Sequence, residues 1–431
     1  MCQQHLGESE CPSPGTLPAQ DESGTPQEPF PWDVGVFDAH CHPTDTMASI
    51  AGIPDMKARA LTVMSTRAQD QDLVSDIASR QGIKDRDIAV LSHSPAERHI
   101  VPCFGWHPWF SYQFYDDTSS DPSYDGTQSG KISHYDKVLT PAPSSKDVSF
   151  SEGLPDPQPL SKFLNETKSR LEMHPLALIG EVGLDKAFRL PQSWTSAYEE
   201  QRDNGLTPGG REGRLLSPYR VQMAHQTAIL QAQLWLAGEM GRAVSVHGVQ
   251  AHGVLYQTIS ALWKGYEKDV MSRREKKQVA KGAEDFSDSS EDEDDDNNGH
   301  ARSRSTGQGK SASTDPPKQG PQPFPPRICL HSFSGPVDVV KQYLHPSVPA
   351  TIFFSFSIVI NWATGGGDKA EEAIRAVPDD RILVESDLHT AGDQMDQYLE
   401  EVCRRICKIK GWDLRDGIEQ LGRNWREFVF G

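Results

Sequence analysis

No run of about 18 apolar residues occurs in the chain, so no segment is built to cross a bilayer as a helix. The first 30 residues lack the basic start and apolar stretch of a secretory leader, so export is not expected. Cysteine is sparse. The seven (Cys2, Cys11, Cys41, Cys103, Cys329, Cys403, Cys407) are odd in number and scattered, which suits reduced thiols in the cytoplasm or nucleus rather than a disulfide framework. Cys403 and Cys407, one helical turn apart, are expected to face a core. Basic residues are also in deficit: 43 Lys and Arg against 61 Asp and Glu leave a net charge of −18 in 431 residues. Tight nonspecific binding to a polyanion needs many Lys and Arg contacts, so that class of protein is disfavoured. Apolar residues are only 36% of the chain, with 35 Gly and 31 Pro beside them, so the ordered part must be smaller than the whole.

The shortfall is localised. Residues 1–31 are polar and Pro-rich, with no periodicity to bury, and read as a disordered tail. Residues 268–326 begin with a basic cluster (Arg273, Arg274, Lys276, Lys277) and continue with nine carboxylates from Glu284 to Asp296. Like charges repel and no apolar face exists there, so a solvated, disordered acidic insertion is expected. Ser289 and Ser290 have acidic residues three positions on and are candidate phosphorylation sites, and the basic cluster is a candidate nuclear-import signal. Because this run holds half of the net negative charge, whole-chain acidity says little about any cleft elsewhere. Residues 111–158, rich in Asp, Ser, Tyr and Pro, and 190–218, with Pro208-Gly209-Gly210, read as two further loops interrupting one domain of 32–431. Setting these aside leaves roughly 270 residues, the size of a single large barrel.

Eight short β-prone runs recur in that remainder, at 34–39, 61–64, 100–104, 176–179, 243–246, 328–330, 351–356 and 382–384. Helical spacing lies between most of them, most clearly at 68–80, 160–173, 221–240, 336–344 and 367–376. Nearly continuous apolar strands alternating with helices imply a parallel sheet buried on both faces. Eight such units predict an α/β fold closed as a (β/α)8 TIM barrel, with a seven-stranded or open sheet as the alternative.

This map places polar residues at the carboxyl ends of strands, the face on which such barrels carry chemistry. His40 and His42 end the first strand, His107 follows the third, Glu181 caps the fourth, His247 the fifth and His331 the sixth, and Asp387 follows the eighth. In Phe37-Asp38-Ala39-His40-Cys41-His42 strict alternation puts Asp38, His40 and His42 on one face and Phe37, Ala39 and Cys41 on the other, against the helices. Burying such groups without partners costs several kcal/mol each, so their convergence on metal is the better account. His40, His42, Glu181, His247, His331 and Asp387 make six ligands, more than one tetrahedral ion needs and about right for two divalent cations sharing Glu181. Paired cations would acidify a bound water and hold the oxygens of a phosphoryl group, with Asp387 taking the proton and Glu181 bridging.

The motifs Phe37-Asp38-Ala39-His40-Cys41-His42, Gly105-Trp106-His107-Pro108, Ile179-Gly180-Glu181-Val182-Gly183-Leu184-Asp185, Val244-Ser245-Val246-His247, Leu330-His331-Ser332-Phe333-Ser334-Gly335 and Leu383-Val384-Glu385-Ser386-Asp387 resemble, in order, those of the TatD-related deoxyribonucleases. Asn424 and Phe428 also resemble that family's closing helix. The resemblance implies a barrel hydrolase cleaving phosphodiester bonds in DNA with magnesium, manganese or zinc. It implies one cation on His40, His42, Glu181 and Asp387 and another on Glu181, His247 and His331. Substrate contacts are expected from His107, Trp106 and Ser334, with Trp106 and Trp109 either stacking on a base at the mouth or buried as aromatics at the strand end. Two departures bear on substrate: Val249 stands where the family has an arginine, and Ser386-Asp387-Leu388-His389 where it reads Thr-Asp-Ala-Pro. The insertions resemble the family's fungal branch, named for interaction with a tetratricopeptide subunit of the cell-cycle ubiquitin ligase, which implies a tetratricopeptide-repeat partner.

Two alternatives stand beside the nuclease. An amide or lactone hydrolase of the wider superfamily would keep the barrel, though many of those bridge their metals with a modified lysine on the fourth strand where this chain offers Glu181. A scaffold with a decayed site would keep only the surface, yet all six ligands are intact.

Overall fold

The computed structural model of the protein describes residues 28–84, 99–270, 320–363 and 365–431. Eight parallel strands form its centre: β1 (Phe37–Cys41), β2 (Ala60–Met64), β3 (His99–Cys103), β4 (Ile179–Asp185), β5 (Val244–Val249), β6 (Arg327–Leu330), β7 (Thr351–Phe356) and β8 (Ile382–Val384). Neighbours in sequence are neighbours in the sheet, in one set from β1 to β3 and another from β4 to β8. Backbone bonds close both gaps. Leu178 N donates to Pro102 O and Phe104 N to Leu178 O, each at 3.0 Å, while Asp387 N donates to His40 O at 3.0 Å and His42 N to Leu388 O at 2.8 Å. The sheet is therefore a closed (β/α)8 barrel, not an open or seven-stranded one. The fourth strand lies further along than expected, so Glu181 sits within it and not at its tip.

Around the barrel run α1 (Ala68–Gln81), α2 (Leu160–Met173), α3 (Met223–Glu239), α4 (His252–Ala261), α5 (Val337–Tyr343), α6 (Gly367–Ala376), α7 (Asp393–Lys410) and α8 (Leu414–Phe430). Five of these match the expected helical spacing within two residues. Gly411, at φ +67°, ends α7 in the left-handed conformation that glycine adopts without steric cost, and the Asp413 carboxylate then accepts from Arg415 N to start α8.

Two apolar layers follow from this arrangement. One lies between sheet and helices and includes Val63, Val74, Leu234, Val246 and Ile374. The other fills the barrel with residues in or immediately before each strand, among them Ala60, Val101, Leu178, Ala243, Cys329, Phe353 and Leu383, and is plugged by Trp425, Phe428 and Phe430 of α8. Phe37 and Ala39 belong to this inner layer, contrary to the expectation that they face the helices. A register shift between Asp38 and Cys41 is the reason: a β-bulge breaks the alternation, leaving Cys41 outside as expected but turning Phe37 inward against Trp425 at 4.7 Å. Cys403 and Cys407 are buried, as expected.

The segments 111–158 and 190–218, expected as loops, are packed structure. Helices Gln128–Val138 and Val148–Gly153 lie in the first, Phe114–Tyr115 pairs with Gln158–Pro159, and Leu139–Thr140 pairs with Arg220–Val221. A third cluster holds them, made of Trp106, Trp109, Phe110, Phe114, Tyr135, Phe150, Phe163, Phe188 and Tyr219. Widely spaced aromatics supply this core within a polar background, so composition alone reads as loop. Of the acidic insertion, only 268–270 and 320–326 are described: Lys268 N donates to Ser347 O, and Phe324 is buried. The carboxylate run, Ser289, Ser290 and the basic cluster lie outside the described residues, as do residues 1–27 of the tail.

Candidate metal centre

The β1 bulge brings His40 and His42 together with Nε2 atoms 3.0 Å apart. His40 is fixed from behind, its Nδ1 2.8 Å from Ser245 Oγ on β5, which leaves Nε2 directed at the centre. Asp38 does not join them. Its carboxylate accepts from His40 N, Ser386 N and Ser386 Oγ, bracing β1 against the segment after β8.

Glu181 stands between two groups of histidines. Oε2 lies 3.3 Å from His42 Nε2 and 3.7 Å from His40 Nε2. Oε1 lies 2.8 Å from His331 Nε2, 2.9 Å from His247 Nδ1 and 3.1 Å from His107 Nε2. Asp387 closes the first side, with Oδ1 3.6 Å from His42 and 3.8 Å from His40. All six expected ligands therefore share one buried pocket. Gly183 makes the approach possible: at φ +150° a Cβ there would fall 2.1 Å from the His247 carbonyl oxygen.

His107, expected as a substrate contact, lies inside the candidate metal site. It is fully buried, and with Glu181 and His247 it forms one of three triads whose ligand atoms lie within 4.8 Å of one another; the others are His40, His42, Glu181 and His40, His331, Asp387. Trp106 is not at the mouth either. It packs edge-on to Phe163 and against Phe114 in the third cluster, with its backbone N–H donating to Gln233 Oε1. Trp109 stacks on Phe188 at 4.5 Å and donates its indole N–H to Asp185 at 2.5 Å, so it too is turned away from stacking on a base. Ser334 is exposed beyond β6, whereas its neighbour Ser332 bonds Glu385 and Ser357.

Two supporting carboxylates were missed by sequence reasoning. Asp185 lies 3.2 Å from His247 Nε2 and accepts from Ala187 N, Phe188 N and Trp109, while Glu385 lies 3.4 Å from His331 Nδ1. A ligating imidazole whose other nitrogen meets a carboxylate is held in one tautomer and orientation. Both residues stand in the quoted motifs, one ending Gly183-Leu184-Asp185 and the other two before Asp387, and that spacing was the available signal. Backbone strain collects here as well. Gln250, Ser332 and Asp387 have φ between 41° and 52°, each just past a strand that delivers a candidate ligand.

Burial holds His40 and His107 down, to about 3 and about 4. Burial also opposes charge on His247, but its bonds to Asp185 and Glu181 outweigh that and lift it to about 9. The same contest, with Glu181 and Glu385, leaves His331 well above its ordinary value. Burial raises Glu181, yet His107 and His331 prevail and keep it ionised well below the usual range. Asp387 is pushed up to about 6, mainly by burial. The carboxylates thus draw positive charge onto neighbouring rings. Divalent cations fit this demand: the donors are all imidazole nitrogens and carboxylate oxygens, and His107 Nε2 and Glu181 Oε2 are buried without a hydrogen-bond partner.

The sequence model of the family described as TatD related DNase matches residues 37–429. The chain belongs to that family. It is 33% identical over 394 residues to the Cut9-interacting protein scn1 of Schizosaccharomyces pombe, covering 91% of this chain and 98% of the relative. It is 25% identical over 357 residues to the uncharacterized deoxyribonuclease YMR262W of Saccharomyces cerevisiae, covering 82% and 83%. Among solved structures, an uncharacterized amidohydrolase from Saccharomyces cerevisiae is 13% identical with a TM-score of 0.49, covering 92% of this chain and 99% of that one. As a TatD-family member the chain is a hydrolase of nuclease-like kind. No helix among the described residues is long and apolar enough to cross a membrane.

Proposed function

We propose that this TatD-family hydrolase is a two-cation phosphodiesterase acting on DNA ends. One observation carries the reading: the two oxygens of Glu181 face separate histidine groups, Oε2 toward His40 and His42 and Oε1 toward His107, His247 and His331. Five imidazoles and two carboxylates are more donors than one tetrahedral cation takes. The mixed imidazole and carboxylate donors favour zinc or manganese over magnesium, which prefers oxygen ligands. When bound, such a pair acidifies a water and stabilises charge on phosphoryl oxygens. Asp387, on the side of His40 and His42, is the group that takes the proton of the attacking water, and its raised pKa suits that role. Glu181 holds the two halves of the site at fixed separation. Ser245, Asp185 and Glu385 fix the rings of His40, His247 and His331, so the site is organised before substrate arrives.

Glu181→Ala and Asp387→Asn should each lower hydrolysis of single-stranded DNA by at least about a hundredfold, within the range set by loss of a general acid-base group. Circular dichroism should show both variants folded. Undiminished nuclease activity in either variant, or cleavage of amides and not DNA by the wild type, contradicts the proposal.

The name of the Schizosaccharomyces pombe relative, a Cut9-interacting protein, supports a second property alongside hydrolysis, binding of a protein partner; we propose a tetratricopeptide-repeat protein, met in the cytoplasm or nucleus. Co-purification that survives Glu181→Ala is the expected outcome. Loss of the partner with that substitution would argue against a separate surface.

A further inference from the structure

A cavity of about 250 Å³ opens at the rim beside the metal centre. Its walls come from Asp45 after β1, Arg67 after β2, Phe110 after β3, the 190–218 segment (Leu206, Thr207, Arg211, Glu212) and His389, two residues past Asp387. It adjoins the ligands through the chain itself, since Asp45 N donates to His42 O at 2.9 Å.

Nearly every charge on this wall is already committed. Arg67 is a strap: Nη1 meets Asp45 at 2.6 Å and Asp70 at 3.3 Å, Nε donates to Pro208 O and Nη2 to Thr207 O. That fork consumes both the guanidinium and Asp45, and it pins the 190–218 segment to the barrel. Thr207 adds two bonds, its N–H to Asp45 O and its hydroxyl to Thr44 O. Glu212 accepts from Gly209 N and from Arg202. Arg214, outside the wall, is spent on the carbonyls of Gly210, Gln192 and Arg211.

Arg211 differs. Its Nε donates to Arg214 O at 2.7 Å, which fixes the side chain, while its two terminal nitrogens have no hydrogen-bond partner among the described residues. A half-buried guanidinium, oriented at one end and uncommitted at the other, is suited to grip a phosphate through paired N–H groups. Phe110 and Leu206 give the same cavity an apolar side for a sugar or base. The volume is just below the roughly 300–1,000 Å³ of typical ligand pockets, so it admits one nucleotide unit rather than a length of strand.

We infer that this cavity is a subsite for the phosphate next to the scissile one, with Arg211 as its anion-binding residue, so that short DNA bearing a terminal phosphate is the preferred substrate. The inference rests on the phosphodiesterase reading and adds to it a residue that selects substrate without doing chemistry.

The test uses the full chain as purified and three thymidine dinucleotides with a phosphorothioate linkage to slow cleavage: one with a 5′ terminal phosphate, one with a 3′ terminal phosphate and one with neither. By calorimetry, one phosphorylated form should bind about tenfold tighter than the unphosphorylated form, the size expected for a hydrogen-bonded charge. Arg211→Ala should abolish that gap and Arg211→Lys should keep part of it. Equal binding of all three by the wild type, or a gap that persists in Arg211→Ala, overturns the inference. Hydrolysis of bis(p-nitrophenyl) phosphate, which carries no second phosphate, reports separately on the catalytic reading. Failure there sinks that reading whatever the calorimetry gives.

Discussion

His40 and His247 are held at both ends, and Asp185 shows how much depends on the outer one. It receives four hydrogen bonds, from Ala187 N, Phe188 N, Trp109 Nε1 and His247 Nε2, and so fixes which nitrogen of His247 faces Glu181. Asp185→Asn keeps the shape but removes the charge that orients and polarises the ring. Metal affinity, measured by competition with a chelator, should fall about 10- to 100-fold, the usual cost of losing such a partner. Unchanged affinity would make Asp185 a packing residue only. Single residues are also where sequence reasoning went furthest. The gathering of Glu181 and the other five strand-end groups in one buried pocket was legible because burying them unpaired is so costly. His107, Trp106 and Trp109 were less legible, because their placement depends on the direction of a chain that turns inward after β3, and adjacency in sequence carries no such direction.

At the level of elements, α8 closes the end of the barrel opposite the metals. Trp425 stacks on Phe37 at 4.7 Å and donates its indole N–H to Thr62 Oγ1 at 2.9 Å, while Phe428 meets Phe353 at 5.5 Å. Trp425→Ala would empty the plug and leave the buried Thr62 hydroxyl without that donor. Stability, measured by urea unfolding, should drop by about 3–5 kcal/mol; a loss below about 1 kcal/mol would mean that the barrel interior does not depend on this helix. Five helices and eight strands were legible from their periods. The β1 bulge was not, because an extra residue in one strand leaves no mark on apolar patterning until its partner's register is known. The segments 111–158 and 190–218 were read as loops for a related reason: the aromatic cluster that holds them is assembled from residues as distant as Trp106 and Tyr219.

On the scale of the whole molecule, closure of the sheet is what turns scattered residues into a site. The bonds from Asp387 N to His40 O and from His42 N to Leu388 O join the first and last strands at the point where Asp387, His40 and His42 meet. The barrel seam and the metal centre are the same place. Net charge is a poor guide at this scale, since half of the −18 lies in the run from Glu284 to Asp296, and the rim carries its own local balance of imidazoles and carboxylates. On the proposed reading, Glu181 joins two cation sites into one. Elemental analysis of purified protein measures this directly. The wild type should hold two divalent ions per chain, and Glu181→Ala, still folded, should hold fewer than one. Metal-free wild type, or a Glu181→Ala variant that retains both ions, would contradict the account.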